Sequence, residues 1–342
     1  MKGIKCVLLA CLLSLYSTTA FAIDPIPEES GFSGFLGLGA GMNRIKNNMI
    51  SGNRLFDITD DRISAPLGSP DSETKGLPAV NFELKYTFAD TRTQIFFGNS
   101  LEDMLRFDLA VLLGVRQDLR NFGIVSASFV FNSIPTEVWK DPYDTTRKRD
   151  DTEKTSNGIR LTWDKIMGSR FQIKTTFRDT EIDKERSGMS LAWLTPAQRK
   201  MLRRDGDFFK TEVLYRFKLT DEHRLAPAFI YTKEDLDGDA MSVDTFDFQL
   251  TYLYARDRIS MIVNGLIGTS ENDKRNPIFR KKQEDDRFGA SVAAYYRMPD
   301  WKPMGCRAFS FWGRVAYFMS DANISFYETE FIGTSAGVML RY

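Results

Sequence analysis

From residue 331 to the end the chain alternates without a break. Ile332, Thr334, Ala336, Val338, Leu340 and Tyr342 share one face of an extended strand, and Gly333, Ser335, Gly337, Met339 and Arg341 share the other. A strand oily on one side only must be met by others of its kind. The clearest is Val80, Phe82, Leu84, Tyr86 and Phe88, alternating with Asn81, Glu83, Lys85 and Thr87. No segment beyond the N-terminus offers ~20 uncharged apolar residues, which excludes helical membrane spans. Alternating strands escape that test, because each apolar residue is followed by a polar one.

The pattern repeats along the chain with short links and long loops taking turns. A first strand covers 31–43, and a Pro-containing stretch, 45–78, follows as a surface loop. Tight links are expected at 89–91, 117–121, 165–169, 220–222, 255–257 and 298–306. Long loops are expected at 133–156, 180–207, 233–241 and 269–286. Thr195-Pro196 before 197–203 reads as an N-cap and first-turn proline, so a short helix is expected there. Only Pro227 falls within an expected strand. The fold class is therefore all-β: a transmembrane antiparallel up-and-down β-barrel of about 14 strands, with long extracellular loops and short periplasmic turns. Tyr86, Phe88, Tyr215, Phe217, Tyr252, Tyr254, Tyr296 and Tyr342 lie beside the short links or at the terminus, as a periplasmic aromatic girdle requires.

Lys2 and Lys5, an apolar run over 6–16 and the small residues flanking Phe21 in Ala20-Phe21-Ala22 read as a signal peptide spanning 1–22. Leu8-Leu9-Ala10-Cys11 is similar to a lipoprotein box, but cleavage there would leave too short an apolar core. Residues 23–30 form a short periplasmic segment and 31–342 the barrel. Of three cysteines, cleavage leaves Cys306 alone, so no intramolecular disulfide is expected. The expected location is the outer membrane of a Gram-negative cell, with lipid and lipopolysaccharide as surroundings and barrel-assembly machinery and periplasmic chaperones as partners during biogenesis. Tyr342, Leu340 and Val338 resemble the insertion signal that this machinery reads.

The stretch from Glu29 through Gly31-Phe32-Ser33-Gly34-Phe35 to Gly41, and that from Tyr86-Thr87-Phe88-Ala89 to Leu101-Glu102-Asp103, resemble a family of proteobacterial outer-membrane proteins classed as a domain of unknown function. The resemblance covers the mature chain and implies fold and location. It implies no catalytic or binding residues.

Catalysis in barrels of this kind commonly uses a histidine with a serine or carboxylate. The one histidine, His223, falls at a short periplasmic link, so no enzymatic activity is expected, and one histidine with one mature cysteine makes no zinc site. The acidic run 234–239 and the mixed run 147–151 read as solvated loops. No cofactor and no nucleic-acid partner is implied. The face opposite the apolar one carries Lys85, Arg106, Arg116, Arg160, Lys174, Arg178, Lys210, Arg216, Lys218, Arg224, Arg258, Arg287, Arg314 and Arg341. Against these stand Glu83, Asp108, Asp164, Glu212 and Asp247. That surplus predicts a porin-like channel for small polar, anionic solutes, lined chiefly by Lys85, Arg106, Arg160, Lys174, Arg178, Lys210, Arg216, Arg258, Arg287 and Arg314. The rival is a non-conducting barrel whose long loops carry the function. Inward Gly37, Gly39 and Gly41 favour the pore, and the long arginines favour a plug.

Removing Tyr342, or the change Tyr342→Asp, is expected to lower the amount of heat-modifiable barrel in the outer membrane and expose the chain to periplasmic proteases. Undiminished heat-modifiable barrel would show that the terminal strand does not close the sheet.

Overall fold

The computed structural model describes residues 25–53, 56–59, 61–63, 67–99, 110–132 and 136–342. The leader reading of 1–22 and the inward positions Arg106 and Asp108 lie outside these residues. The chain forms a closed barrel of 14 antiparallel strands. They are β1 (Gly31–Lys46), β2 (Ser72–Phe88), β3 (Thr93–Asn99), β4 (Ala110–Asp118), β5 (Ile124–Asn132), β6 (Asp151–Asp164) and β7 (Phe171–Ile182). The second half comprises β8 (Gly206–Tyr215, continued by Phe217–Lys218), β9 (His223–Leu236), β10 (Val243–Arg256), β11 (Ile259–Arg275), β12 (Lys282–Met298), β13 (Ala308–Ala322) and β14 (Thr329–Arg341). Each strand pairs with its neighbours in sequence, and β14 returns to β1 in an unbroken register from Phe35 opposite Arg341 to Lys46 opposite Glu330. No edge is left at this seam, as a sheet in hydrocarbon requires.

Side-chain alternation sets the two faces. Phe32, Leu38, Val80, Leu84, Ile95, Phe129, Phe177, Phe229, Phe248, Ile267, Val292 and Val315 are all exposed on the outside. Buried polar residues such as Asn81, Gln94, Thr162, Thr176, Gln249, Thr251 and Asn264 face in. Aromatic rings pack together beside the short turns, with centroids 4.7 Å apart for Phe32 and Tyr86, 4.6 Å for Phe171 and Tyr215, and 4.5 Å for Phe122 and Trp163. His223 joins this belt, with Nδ1 2.6 Å from the Tyr252 hydroxyl.

Several strands run further than their apolar pattern. β1 continues to Lys46 and β2 begins at Ser72, so the first loop is shorter than 45–78 and Pro78 lies inside a strand, opposite Ala40. The same happens at β11 and β12, which reach Arg275 and Lys282. These ends carry polar residues on both faces, so alternation of hydrophobicity stops while strand pairing continues. Within the loops, short strands Thr136–Trp139 and Ile50–Asn53 add to the extracellular end of β6. The expected helix is present as α1 (Pro196–Lys200), closed by a capping box between Thr195 and Gln198.

Gly39, one of the inward glycines of β1, is covered by a side chain. Gly39 stands opposite Gly337 at the seam, and a Cβ on Gly39 would lie 2.4 Å from the Ala336 carbonyl oxygen and 2.7 Å from Cζ2 of Trp312. Trp312 is buried across this glycine floor, with its indole N–H donating to the Val338 carbonyl at 3.1 Å. Gly39 thus leaves room for an inward tryptophan.

The change Gly39→Val is therefore expected to prevent closure between β1 and β14, read as loss of the heat-modifiable band and a drop of several degrees in melting temperature. Gly265→Ala, where a Cβ meets nothing within 4 Å, is the matched control and should melt like the wild type.

Candidate functional site

The inward face divides into two walls. From β4 round to β11 most of its positions are buried, and from β12 through the seam to β2 most are only half-buried. On the packed wall the charges are desolvated and held. Asp164 is 0% exposed and accepts a hydrogen bond from Nη1 of Arg216 at 2.5 Å, while Nη2 of Arg216 donates to Gln172 at 3.0 Å. Glu212, 1% exposed, has Nζ of Lys174 3.6 Å away. Arg160 donates from Nε to the Thr176 hydroxyl at 2.9 Å, and Arg116 from Nη1 to Gln94 at 2.7 Å. Arg178 lies 4.2 Å over the Phe208 ring, with Lys210 6.0 Å from the same ring. A buried charge survives only where a partner offsets its desolvation, and these do have partners.

The other wall is wetter. Lys85 pairs with Glu83 at 2.6 Å, their side chains 19% and 30% exposed. Arg287 donates from Nε to Asp247 at 3.0 Å and its side chain is 25% exposed. Arg314 faces inward among Tyr295 and Ser335 neighbours and makes no ion pair among the described residues. Of the expected lining residues, Lys85, Arg160, Lys174, Arg178, Lys210, Arg216, Arg287 and Arg314 thus point into the barrel. Arg258 does not. It occupies the two-residue turn between β10 and β11 and is exposed, because β10 keeps its pairing through Arg256 and leaves only 257–258 to reverse the chain. Lys218 is likewise exposed beside that end and pairs with Asp221 at 2.5 Å.

The long loops build a second layer. Tyr143, Leu194, Leu202, Ile324, Phe326 and Tyr327 form a buried apolar core, with Met49, Ile63, Leu191, Met241, Ile278 and Phe279 packed against it. These residues come from loops rooted all around the barrel, between β1 and β2, β5 and β6, β7 and β8, β9 and β10, β11 and β12, and β13 and β14. Loops rooted on opposite sides can share one core only by crossing the mouth, so the extracellular end carries a lid. The Tyr143 and Tyr327 hydroxyls lie 2.6 Å apart, and Asn276 donates to Tyr327 at 2.7 Å. Burial pushes both phenols above their ordinary range. Arg149 is buried against the Trp139 ring and donates to the Asn48 carbonyl at 3.0 Å. Arg204 bridges Glu185 at 2.8 Å and the Trp139 carbonyl at 2.7 Å. The run 147–149 is therefore structural at Arg149, whereas Arg147 turns outward onto Asp144.

Among the described residues the one close acidic group is Asp57, Glu137 and Asp151, on the loop strands and the end of β6. Sequence reading missed the lid core because its residues are scattered over six loops. Ile324 and Phe326, apolar residues in a link otherwise polar, were the available signal.

A closed barrel with an apolar exterior, a polar interior and a loop lid has the porin-like fold of outer-membrane proteins, and the protein is an outer-membrane β-barrel. The chain belongs to the family described as "Protein of unknown function (DUF2860)", which spans residues 31–341. No protein of the curated set matches it. Among solved structures it is similar to in-vitro folded OmpT, an outer membrane protein of Vibrio cholerae, at 9% identity over 96% of this chain and 99% of that one, with a TM-score of 0.40. It is also similar to the outer membrane channel DcaP of Acinetobacter baumannii (12% identity, 91% and 98% covered, TM-score 0.39). A third similar structure is OccK7 of Pseudomonas aeruginosa (9% identity, 91% and 99% covered, TM-score 0.37).

Truncating Phe326 or Leu202 to Ala is expected to remove about 2–5 kcal/mol from the lid core. Limited proteolysis should then cut within 183–205 faster than in the wild type, while the heat-modifiable barrel persists. Unchanged cutting would mean that the loops are held otherwise.

Proposed function

We propose that the protein is a channel passing small polar solutes along one side of its lumen, past β12, β13, β14, β1 and β2. The observation that carries this reading is the uneven burial of the inward face, mostly buried from β4 to β11 and mostly half-buried from β12 through the seam to β2. Selectivity then rests on few residues. Most of the inward cations sit on the packed wall, and Lys85 and Arg287 are offset by Glu83 and Asp247. Arg314 remains the clearest uncompensated cation on the wetter wall. The anion preference is accordingly weaker than the count of inward charges implies.

The lid supports a second reading, a barrel closed to solutes whose extracellular loops carry the function. One experiment separates them. Purified protein in a planar bilayer is expected to conduct, with a reversal potential favouring anions, more so at low salt where screening beyond ~10 Å weakens. Arg314→Gln should bring the permeability ratio toward unity, while Arg160→Gln, on the packed wall, should leave it unchanged. Preference for cations would overturn the selectivity, and absence of conductance from protein shown to be folded would favour the closed barrel.

A further inference from the structure

Beneath the lid, at the extracellular end of the lumen, a cavity of about 250 Å³ lies between β9 to β14 and the first loop. Its ceiling belongs to the lid: Met49, Met241 and Tyr327. Its walls carry two carboxylates that no cation neutralises directly. Asp285 accepts hydrogen bonds from three neutral side chains, the hydroxyls of Ser270 and Ser320 at 3.2 Å each and the Gln283 amide at 3.0 Å. Glu234, on β9, is only half-buried and makes no side-chain hydrogen bond or ion pair among the described residues. The guanidinium in the lining, that of Arg287, is turned onto Asp247 and lies 5.3 Å over the Phe318 ring.

The donors around Asp285 are therefore spent inside the wall, and what the cavity offers is acceptors. A carboxylate with no cation beside it, as at Glu234, gains from a charge-assisted hydrogen bond with an ammonium donor. An anion would meet two negative groups with the nearest positive one already occupied. We infer that this cavity binds the ammonium group of a small primary amine, with Glu234 as its ion-pair partner, Asp285 as second acceptor, and the Phe318 ring and the two methionines covering the alkyl part. The volume falls below the roughly 300–1,000 Å³ of drug-sized sites, which limits the occupant to a short amine.

The test uses the full-length barrel in detergent micelles and putrescine as probe, with binding read by calorimetry and by chemical-shift changes of labelled methionine methyl groups. Saturable binding is expected, weakened about tenfold or more by Glu234→Gln and by Thr245→Phe, which fills the cavity without changing its charge. Asp221→Asn, in a periplasmic turn, should bind like the wild type. Heat-modifiability establishes that each variant is folded. No saturable binding of putrescine, equal binding of uncharged 1,4-butanediol, or binding that folded Glu234→Gln and Thr245→Phe retain would each overturn the site. Because the readout needs no current, a barrel that binds without conducting contradicts the channel and leaves the site standing. One that conducts without binding does the reverse.

Discussion

Every backbone amide and carbonyl that enters hydrocarbon must find its partner within the protein, and in this chain that requirement is met at one seam. β1 and β14 are the two ends of the barrel, and their unbroken register converts an open sheet into a closed one. The sequence answers with small residues on the inner face of that seam, where Gly39 meets Gly337 and the strands approach too closely for a Cβ. The space so left is filled from β13 by Trp312, which ties three strands together through one indole. Closure and lumen filling are thus the same piece of packing.

The second constraint is the cost of desolvated charge. A lumen wide enough for fourteen strands would be water-filled unless long side chains crossed it, and arginine and lysine do so only where acceptors or rings meet them. Asp164, Glu212, Thr176 and Phe208 provide these on one wall, so that wall becomes a packed polar interior. On the other wall fewer inward positions are buried, leaving residues such as Glu83, Lys85 and Arg314 in contact with solvent. The lid sits above both. It is stabilised by ordinary apolar burial, with Phe326 and Leu202 fully enclosed at roughly 1.5–3 kcal/mol each, and the cavity with Glu234 and Asp285 lies beneath it.

The barrel was legible because a lipid-facing strand writes its environment into every second residue, as in Val80 to Phe88. The closing strand, the girdle tyrosines and the short helix at Thr195 were legible for the same local reasons. Strand ends beyond the membrane were not, since Arg44, Thr74 and Lys282 are polar on either face and carry no period. Which inward arginines meet a carboxylate also depends on register between strands, which no single strand encodes. Arg216 reaches Asp164 across β7, and Arg287 reaches Asp247 across β11. Gly39 was read as open space because the tryptophan that covers it comes from a strand about 270 positions on in sequence.

The central claim is that one wall of the lumen is dry and the other wet, and it is tested most directly by solvent access to single inward positions. Ser335→Cys on the wetter wall and Thr176→Cys on the packed wall, each in a protein carrying Cys306→Ser, can be exposed to a small membrane-impermeant thiol reagent in folded barrels. Labelling of the first within minutes, with the second protected until the barrel is unfolded, is the result this account predicts. Equal labelling of both would describe a wide water-filled pore, and protection of both a lumen closed along its whole length.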